Sequence, residues 1–319
     1  MKPMFVPVTA AVLVLAAPGA VACSSCGCTL NSDWSSQGYT VRSGFNFDVR
    51  FDAFDQDELR SGTHPVDRST LTVPNAQELQ QDTRNRNTTL GLDWSPSRTF
   101  AVNVQLPYFD RTHATIAAGD SAVSTSQSRG LGDARVMARY QGFEQDLSVG
   151  VQFGLKLPTG RIDDRFSSGP QAGQPVDRGL QLGTGSTDLL AGAYAVGALA
   201  TDVYYFANVL WQQPVASRDG FRPGNGANAT VGLRYTGPLA GGIVPQLQLN
   251  VRSEGRESGI NADVPDSGAT LAYLSPGVGF RVSGHVDGFA FVQLPVYQRV
   301  NGLQLEPKVL GSVGFRYRF

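Results

Sequence analysis

PKVLGSVGFRYRF, residues 307–319, ends the chain and governs how the rest of it is read. Val309, Val313, Phe315, Tyr317 and Phe319 fall on one parity, and Lys308, Ser312, Arg316 and Arg318 on the other. Successive side chains of a strand point to opposite faces, so this stretch makes a strand with one apolar, aromatic face and one basic face.

Phe315, Tyr317 and Phe319 occupy the fifth, third and last places from the end. In this the segment resembles the closing strand of a bacterial outer-membrane β-barrel, where a C-terminal aromatic is recognised by the barrel-assembly machinery. The resemblance makes Phe319 the assembly signal. Composition agrees with a transmembrane barrel. Charged residues are 17% of the 319, against roughly 25% in a soluble domain. Beyond the N-terminus no apolar run approaches the roughly 18 residues of a membrane helix.

The first 22 residues read as a secretory signal: Lys2, an apolar core from Val8 to Ala17, and an A-x-A cleavage site at Ala20-Val21-Ala22. Their removal takes Lys2 and no acid from 26 basic and 27 acidic residues, leaving a net charge of −2. That balance gives no support for a nucleic-acid partner. Residues 23–38 form a cysteine-containing segment assigned to the periplasm, and residues 39–319 the barrel.

From Tyr39 the alternation predicts an all-β, antiparallel, up-and-down transmembrane barrel of about 12 strands. The spans are Tyr39–Phe51, Arg86–Ser95, Thr99–Phe109, Asp133–Gln141, Asp146–Leu157, Thr187–Gly197, Thr201–Gln213, Asn228–Thr236, Val244–Ser253, Thr270–Ser283, Val286–Val300 and Pro307–Phe319. Two expectations concern irregularities. The register of Thr187–Gly197 is open because both faces are small or apolar, and Pro276 should mark a break or bulge. Connections after even-numbered strands are short. Those after odd-numbered strands are long (52–85, 110–132, 158–186, 214–227, 254–269), except the last, at Asn301-Gly302. Short inner turns and long outer loops are the known asymmetry of bacterial barrels, and place both termini in the periplasm. Tyr39, Trp94, Tyr140 and Tyr235 at one end, and Phe51, Tyr108 and Trp211 at the other, are candidate interfacial girdles.

The inward parity supplies candidate lumen residues: Arg42, Arg50, Arg135, Arg139, Lys156, Arg234, Arg252, Arg281, Arg316 and Arg318, opposed by Asp48, Asp93, Asp133 and Asp202. Excess arginine would favour anions in an open pore. The same charges could instead pair and fill a closed lumen. Phe289, Phe291, Tyr297, Tyr204 and Phe206 are candidate lumen aromatics, suited to a hydrophobic solute. Pro107, Pro158, Pro214 and Pro295 lie late in outward-running strands, where each can bend or end the strand. Gly160, Gly183 and Gly185 would permit a loop to fold into the mouth.

Three stretches, GLGDARVMARYQ (130–141), VQFGLKLPTG (151–160) and LQLGTGSTDLLAGA (180–193), occur in that order. Together they resemble the phenol meta-pathway outer-membrane transporter family, over about residues 85–319. The resemblance implies a barrel associated with uptake of small, often aromatic, hydrophobic compounds. The CSSCGC segment and the long first loop depart from that pattern.

Cys23, Cys26 and Cys28 hold all the cysteine of the chain. CxxCxC suits Cu(I) or Zn(II). A disulfide or redox use in an oxidising periplasm, and lipidation of Cys23 directly after the cleavage site, compete with that reading. These alternatives leave a second function open, a non-transport barrel that anchors a periplasmic redox or metal-handling partner. Catalysis has little support: His64 and His113 fall in expected outer loops, His285 in a turn, and no G-x-S-x-G elbow is present. Asp52, Asp55, Asp57 and Glu58 form an acidic run in the first expected loop. The run reads either as a calcium site or, more simply, as a solvated surface.

Overall fold

The structure, a computed structural model, describes residues 43–144, 148–239 and 242–319. Tyr39, Arg42, Leu147, the signal and the three cysteines lie outside the described residues. Fourteen strands are described: β1 (Gly44–Gly62), β2 (His64–Pro65), β3 (Leu79–Ser95), β4 (Phe100–Ile116), β5 (Ser124–Leu131), β6 (Ala134–Tyr140), β7 (Val149–Leu157), β8 (Phe166–Ser168), β9 (Asp188–Ala200), β10 (Val203–Pro214), β11 (Gly226–Tyr235), β12 (Ile243–Glu254), β13 (Ala269–Arg281) and β14 (Val286–Arg318). Eleven of them follow one another round the wall in the order β1-β3-β4-β6-β7-β9-β10-β11-β12-β13-β14. β14 returns to β1, from Asn46↔Arg318 to Gly62↔Val300, and closes the antiparallel barrel.

β14 is folded on itself. Its arm 286–300 lies along β13 and its arm 303–318 along β1. Gly302, at φ +52°, makes the turn between them, in the left-handed region that glycine enters without a Cβ penalty. At the far end of the hairpin the Arg318 N–H donates to His285 O at 2.8 Å. The two arms are separate staves, so the wall has twelve, as the alternation predicts.

The outer face is the apolar one. Phe47, Leu92, Val104, Val136, Phe153, Val209, Val231, Leu249, Val292 and Phe315 are exposed, whereas their chain neighbours of opposite parity point inward. Exposed aromatics gather at both edges of this belt: Trp94, Tyr140 and Tyr235 at the short-turn end, and Phe51, Tyr108 and Trp211 at the long-loop end. Such a surface is stable in lipid and not in water.

Three expectations are corrected. Residues 52–62 and 79–85 are strand, not loop, because β1 and β3 keep their ladder as far as Gln56↔Thr83. The apolar alternation stops earlier, where outward positions become Asp55, Arg84 and Arg86, so the sequence shows the lipid band and not the taller wall above it. Residues 110–131 are likewise mostly strand, β4 continuing into a hairpin with β5. Pro107, which has no N–H to donate, sits where β4 exchanges β6 for β5 as its neighbour. Third, Pro276 stays in the ladder opposite Leu247. The bulge lies at Ala272/Tyr273 opposite Pro295, where the register shifts.

At the closing seam the Phe319 N–H donates to Phe45 O at 3.1 Å, and its ring meets Tyr317 edge-on at 5.0 Å. Deleting Phe319 removes both contacts and the terminal aromatic. A severalfold lower yield of folded barrel in the outer membrane is expected, read by heat-modifiable mobility on gels; an unchanged yield would refute the role assigned to this residue.

Candidate functional site

Inward positions along the strands bring most of the predicted charges together in pairs. Asp48 accepts two hydrogen bonds from Arg316, at 2.6 and 2.7 Å. Arg139 donates to Asp93 at 2.7 Å, both side chains buried. Arg50 pairs with Asp52, Arg252 with Glu254, and both Arg281 and Arg318 with Asp287. Arg234 lies over the Tyr204 ring at 5.7 Å, and Arg135 occupies an inward position of β6 beside Lys156. Asp202, at φ +64°, sits in the turn before β10, and its carbonyl accepts from the Thr236 N–H.

The acidic run of the first expected loop does not converge. Asp52 points inward and accepts from Ser312 at 2.6 Å, while Asp55 pairs with Arg86, Asp57 with Lys308 and Glu58 with Arg60. A strand turns alternate carboxylates to opposite faces, so no calcium cradle forms. His113 is also not in a loop: it is an inward residue of β4, 2% exposed.

Aromatic residues share the inner face with these pairs. Phe206, Phe289 and Phe291 are buried and inward. Each lies flat across a glycine of a neighbouring stave: Phe206 over Gly232, Phe291 over Gly277, and Phe289 over Gly314. A Cβ at any of those glycines would run into the ring, so the absence of a side chain on one strand makes the shelf for the aromatic on the next. Tyr297 does not join them. It is 46% exposed on the outer face, because the bulge at Pro295 reverses the parity of the arm. Tyr204 keeps the inward parity near the short-turn end and is exposed there.

Beside this shelf Gln248 has no partner for either amide atom, and Gln293 none for its Nε2; both are buried. Both carboxylate oxygens of Glu306 are also without a partner. Buried polar atoms are rarely left so; Gln248 and Gln293 lie near the rings, and Glu306, opposite Glu58 on β1, lies towards the long-loop end.

The segment 158–187 is anchored in the barrel by one buried cation. Lys156 Nζ lies 2.8 Å from Asp188 and 3.5 Å from Asp133, and donates to Thr184 Oγ1 at 2.5 Å. Asp133 in turn accepts from the N–H of Gly160 and from the N–H and hydroxyl of Thr184. Thr159 Oγ1 receives the Ala134 N–H and donates to Gly132 O. Gly160 and Gly183 touch backbone to backbone, and Gly185 takes φ +68°. Asp133, Lys156 and Asp188 come one from each of the three family-like stretches, so those stretches together build this anchor. Beyond it Phe166, Val176 and Leu180 pack together, and Arg111 on β4 reaches Gly179 O at 3.4 Å.

The long-loop end is covered by interlocking segments. Arg178 lies 4.9 Å over the Phe221 ring and donates to Thr184 O. Arg222 and Ser258 exchange backbone hydrogen bonds at 2.9 Å, and Gly224 meets Gly255. Asp266 accepts the Leu303 N–H at 2.8 Å, tying segment 255–268 to the β14 turn. The sequence reading found Asp133, Lys156 and the turn glycines but missed Asp188, Gln248 and Glu306. Asp188 was hidden by the strand whose faces look alike, and Glu306 by its place just before the clear alternation of the closing strand.

No family model matches the chain, and no curated protein does. Among solved structures, the chain is similar to a COG4313 outer membrane channel from Pseudomonas putida F1, at TM-score 0.62 and 13% identity, covering 88% of this chain and 97% of that one. It is also similar to the beta domain of the Bordetella autotransporter BrkA, at TM-score 0.50 and 15% identity, covering 87% and 100%. At these identities the likeness is one of fold: a transmembrane β-barrel of the kind that outer-membrane channels use.

Proposed function

We propose that the chain is an outer-membrane channel for a small, hydrophobic or aromatic solute, with its short turns and both termini on the periplasmic side. The observation that carries this reading is the set of inward rings Phe206, Phe289 and Phe291, apolar groups on a face that a water-filled porin would line with polar groups. The pairing of Asp48 with Arg316 and of Asp93 with Arg139 supports it. Paired charges create no strong anion field of the kind that unpaired arginines would. Barrel fold and apolar belt imply lipid as the surroundings, and the closing strand implies handling by the barrel-assembly machinery.

The test is influx into proteoliposomes of a neutral aromatic and a sugar of similar size. The purified barrel should pass the aromatic severalfold faster. A Phe206→Ala, Phe291→Ala variant, checked for folding by gel mobility, should lose most of that ratio. Equal rates for both solutes in the unmodified barrel would defeat the proposal.

A further inference from the structure

Three separate segments bring carboxylates to the long-loop mouth. Glu78 precedes β3, Asp177 lies at the tip of segment 158–187, and Asp263 and Asp266 lie in segment 255–268. They sense one another: Glu78 feels Asp177, Asp263 and Asp266, and Asp263 feels Asp177. The Asp266 N–H donates to Asp263 Oδ1 at 3.3 Å. Among the described residues none of the four pairs with arginine or lysine, and Glu78 has Thr115, Asp177 and the His113 imidazole as its neighbours.

The cations of the same elements have other partners: Arg111 donates to Asn85 Oδ1 and reaches Gly179 O, Arg178 lies against Asp219 and donates to Thr184 O, and Arg256 reaches Val264 O. Two more acids lie nearby: Asp82 is compensated by Arg84, and Glu257 accepts the Asp263 N–H. The buried His113 supplies a second, independent sign. Its Nδ1 shares a 2.7 Å hydrogen bond with Thr83 Oγ1, while its Nε2 has no hydrogen-bond partner and lies 3.9 Å from Glu78 Oε1. With Nδ1–H donating to Thr83, Nε2 turns a lone pair towards the Glu78 carboxylate, and two facing acceptors leave room for a positively charged group.

We propose that this recess is a carboxylate filter at the outer mouth, which attracts cationic solutes, admits neutral ones and turns anionic ones away. The inference rests on the channel reading and narrows its solute class. The filter is also titratable. Burial raises Glu78 above the ordinary carboxylate range, against hydrogen bonds with Thr115 and Asp177 that lower it. Asp177, which is exposed, is pushed up to about 7 by the protein packed around it and then by Glu78. Asp263 is pushed up to about 6 by burial and then by Asp266. An acid with a raised value is ionised above that value and neutral below it. The negative field is therefore full in mild alkali and is lost as pH falls through 7 and 6.

The experiment is the reversal potential of the purified full-length barrel in a potassium chloride gradient across a planar bilayer. At about pH 8 cations should be preferred, and the preference should fall by roughly twofold or more by about pH 5.5. A Glu78→Gln, Asp177→Asn, Asp263→Asn variant should show neither the preference nor its pH dependence. A permeability ratio near one at the alkaline pH, anion preference, or a variant that keeps the ratio would overturn the filter. Infrared titration of the carboxyl band in detergent needs no open pore. Carboxyls that protonate near neutral pH and vanish in the triple variant support the recess, and carboxyls that titrate only in the ordinary acid range overturn it. A barrel that passes no small solute at all fails the channel reading, and the titration still decides the recess.

Discussion

Replacing Lys156 with methionine is expected to release segment 158–187 from the barrel. The ammonium is buried between Asp133 and Asp188 and is the cation both of them face. Methionine fills much of its volume but leaves two buried carboxylates without it. Removing one partner of a buried ion pair costs about 3–5 kcal/mol. The ladders of β7 with β6 and β9 do not depend on the ammonium, so the strands should hold while the segment, left with only its hydrogen bonds to Asp133, lets go. Single-channel recordings should show a larger and noisier conductance, and limited proteolysis should cut within 161–175, where the native barrel resists. Adding Asp188→Asn removes one of the orphaned charges and should recover part of the loss. Unchanged conductance and protease resistance in the single variant would show that the hydrogen bonds alone hold the segment.

Gly224→Ala is the second large effect. A methyl group at Gly224 would collide with the carbonyl of Gly255, which is backbone and cannot rotate away. Forcing it in should cost about 1–3 kcal/mol, borne by the contact between segments 215–225 and 255–268. The Arg222 and Ser258 amides, which bond to each other's carbonyls, should exchange with solvent at least tenfold faster, while amides of β11 and β12 keep their protection. Equal protection of Arg222 and Ser258 in variant and native protein would mean that the two segments are held elsewhere.

Barrel architecture was legible because lipid imposes a rule on every outward side chain. Val149, Val151, Phe153 and Leu155 in β7 announce the wall without any tertiary information. The rule ends with the lipid. Above the belt, outward positions such as Asp55 and Arg84 look like loop, although the backbone ladder continues beneath them. Parity also fails after a bulge, which is why Tyr297 was read inward while Phe289 and Phe291 of the same arm were placed correctly. The lumen charges were visible as a set and their partners were not. Whether Arg316 meets Asp48 depends on the closing register between the two ends of the chain, a distance of 268 residues. The mouth carboxylates were the least legible. Glu78, Asp177 and Asp263 come from segments with no periodic pattern, and only the packing of those segments brings them together.

The seam between β1 and the last arm of β14 has a consequence for how the chain becomes a barrel. Neighbouring staves elsewhere are joined by local hairpins, but this pairing connects the first strand described with the last. Contacts of such sequence separation are slow to form, because a long loop must close before they return any energy. Until then the sheet is an open ribbon with two unpaired edges, the state in which β-sheets seek other chains. A chain cut after Gly302 would stay in that state permanently. It would have every lumen aromatic and every mouth carboxylate named above, yet no closed wall, and its fate should be decided by aggregation or proteolysis rather than by any loss of transport chemistry.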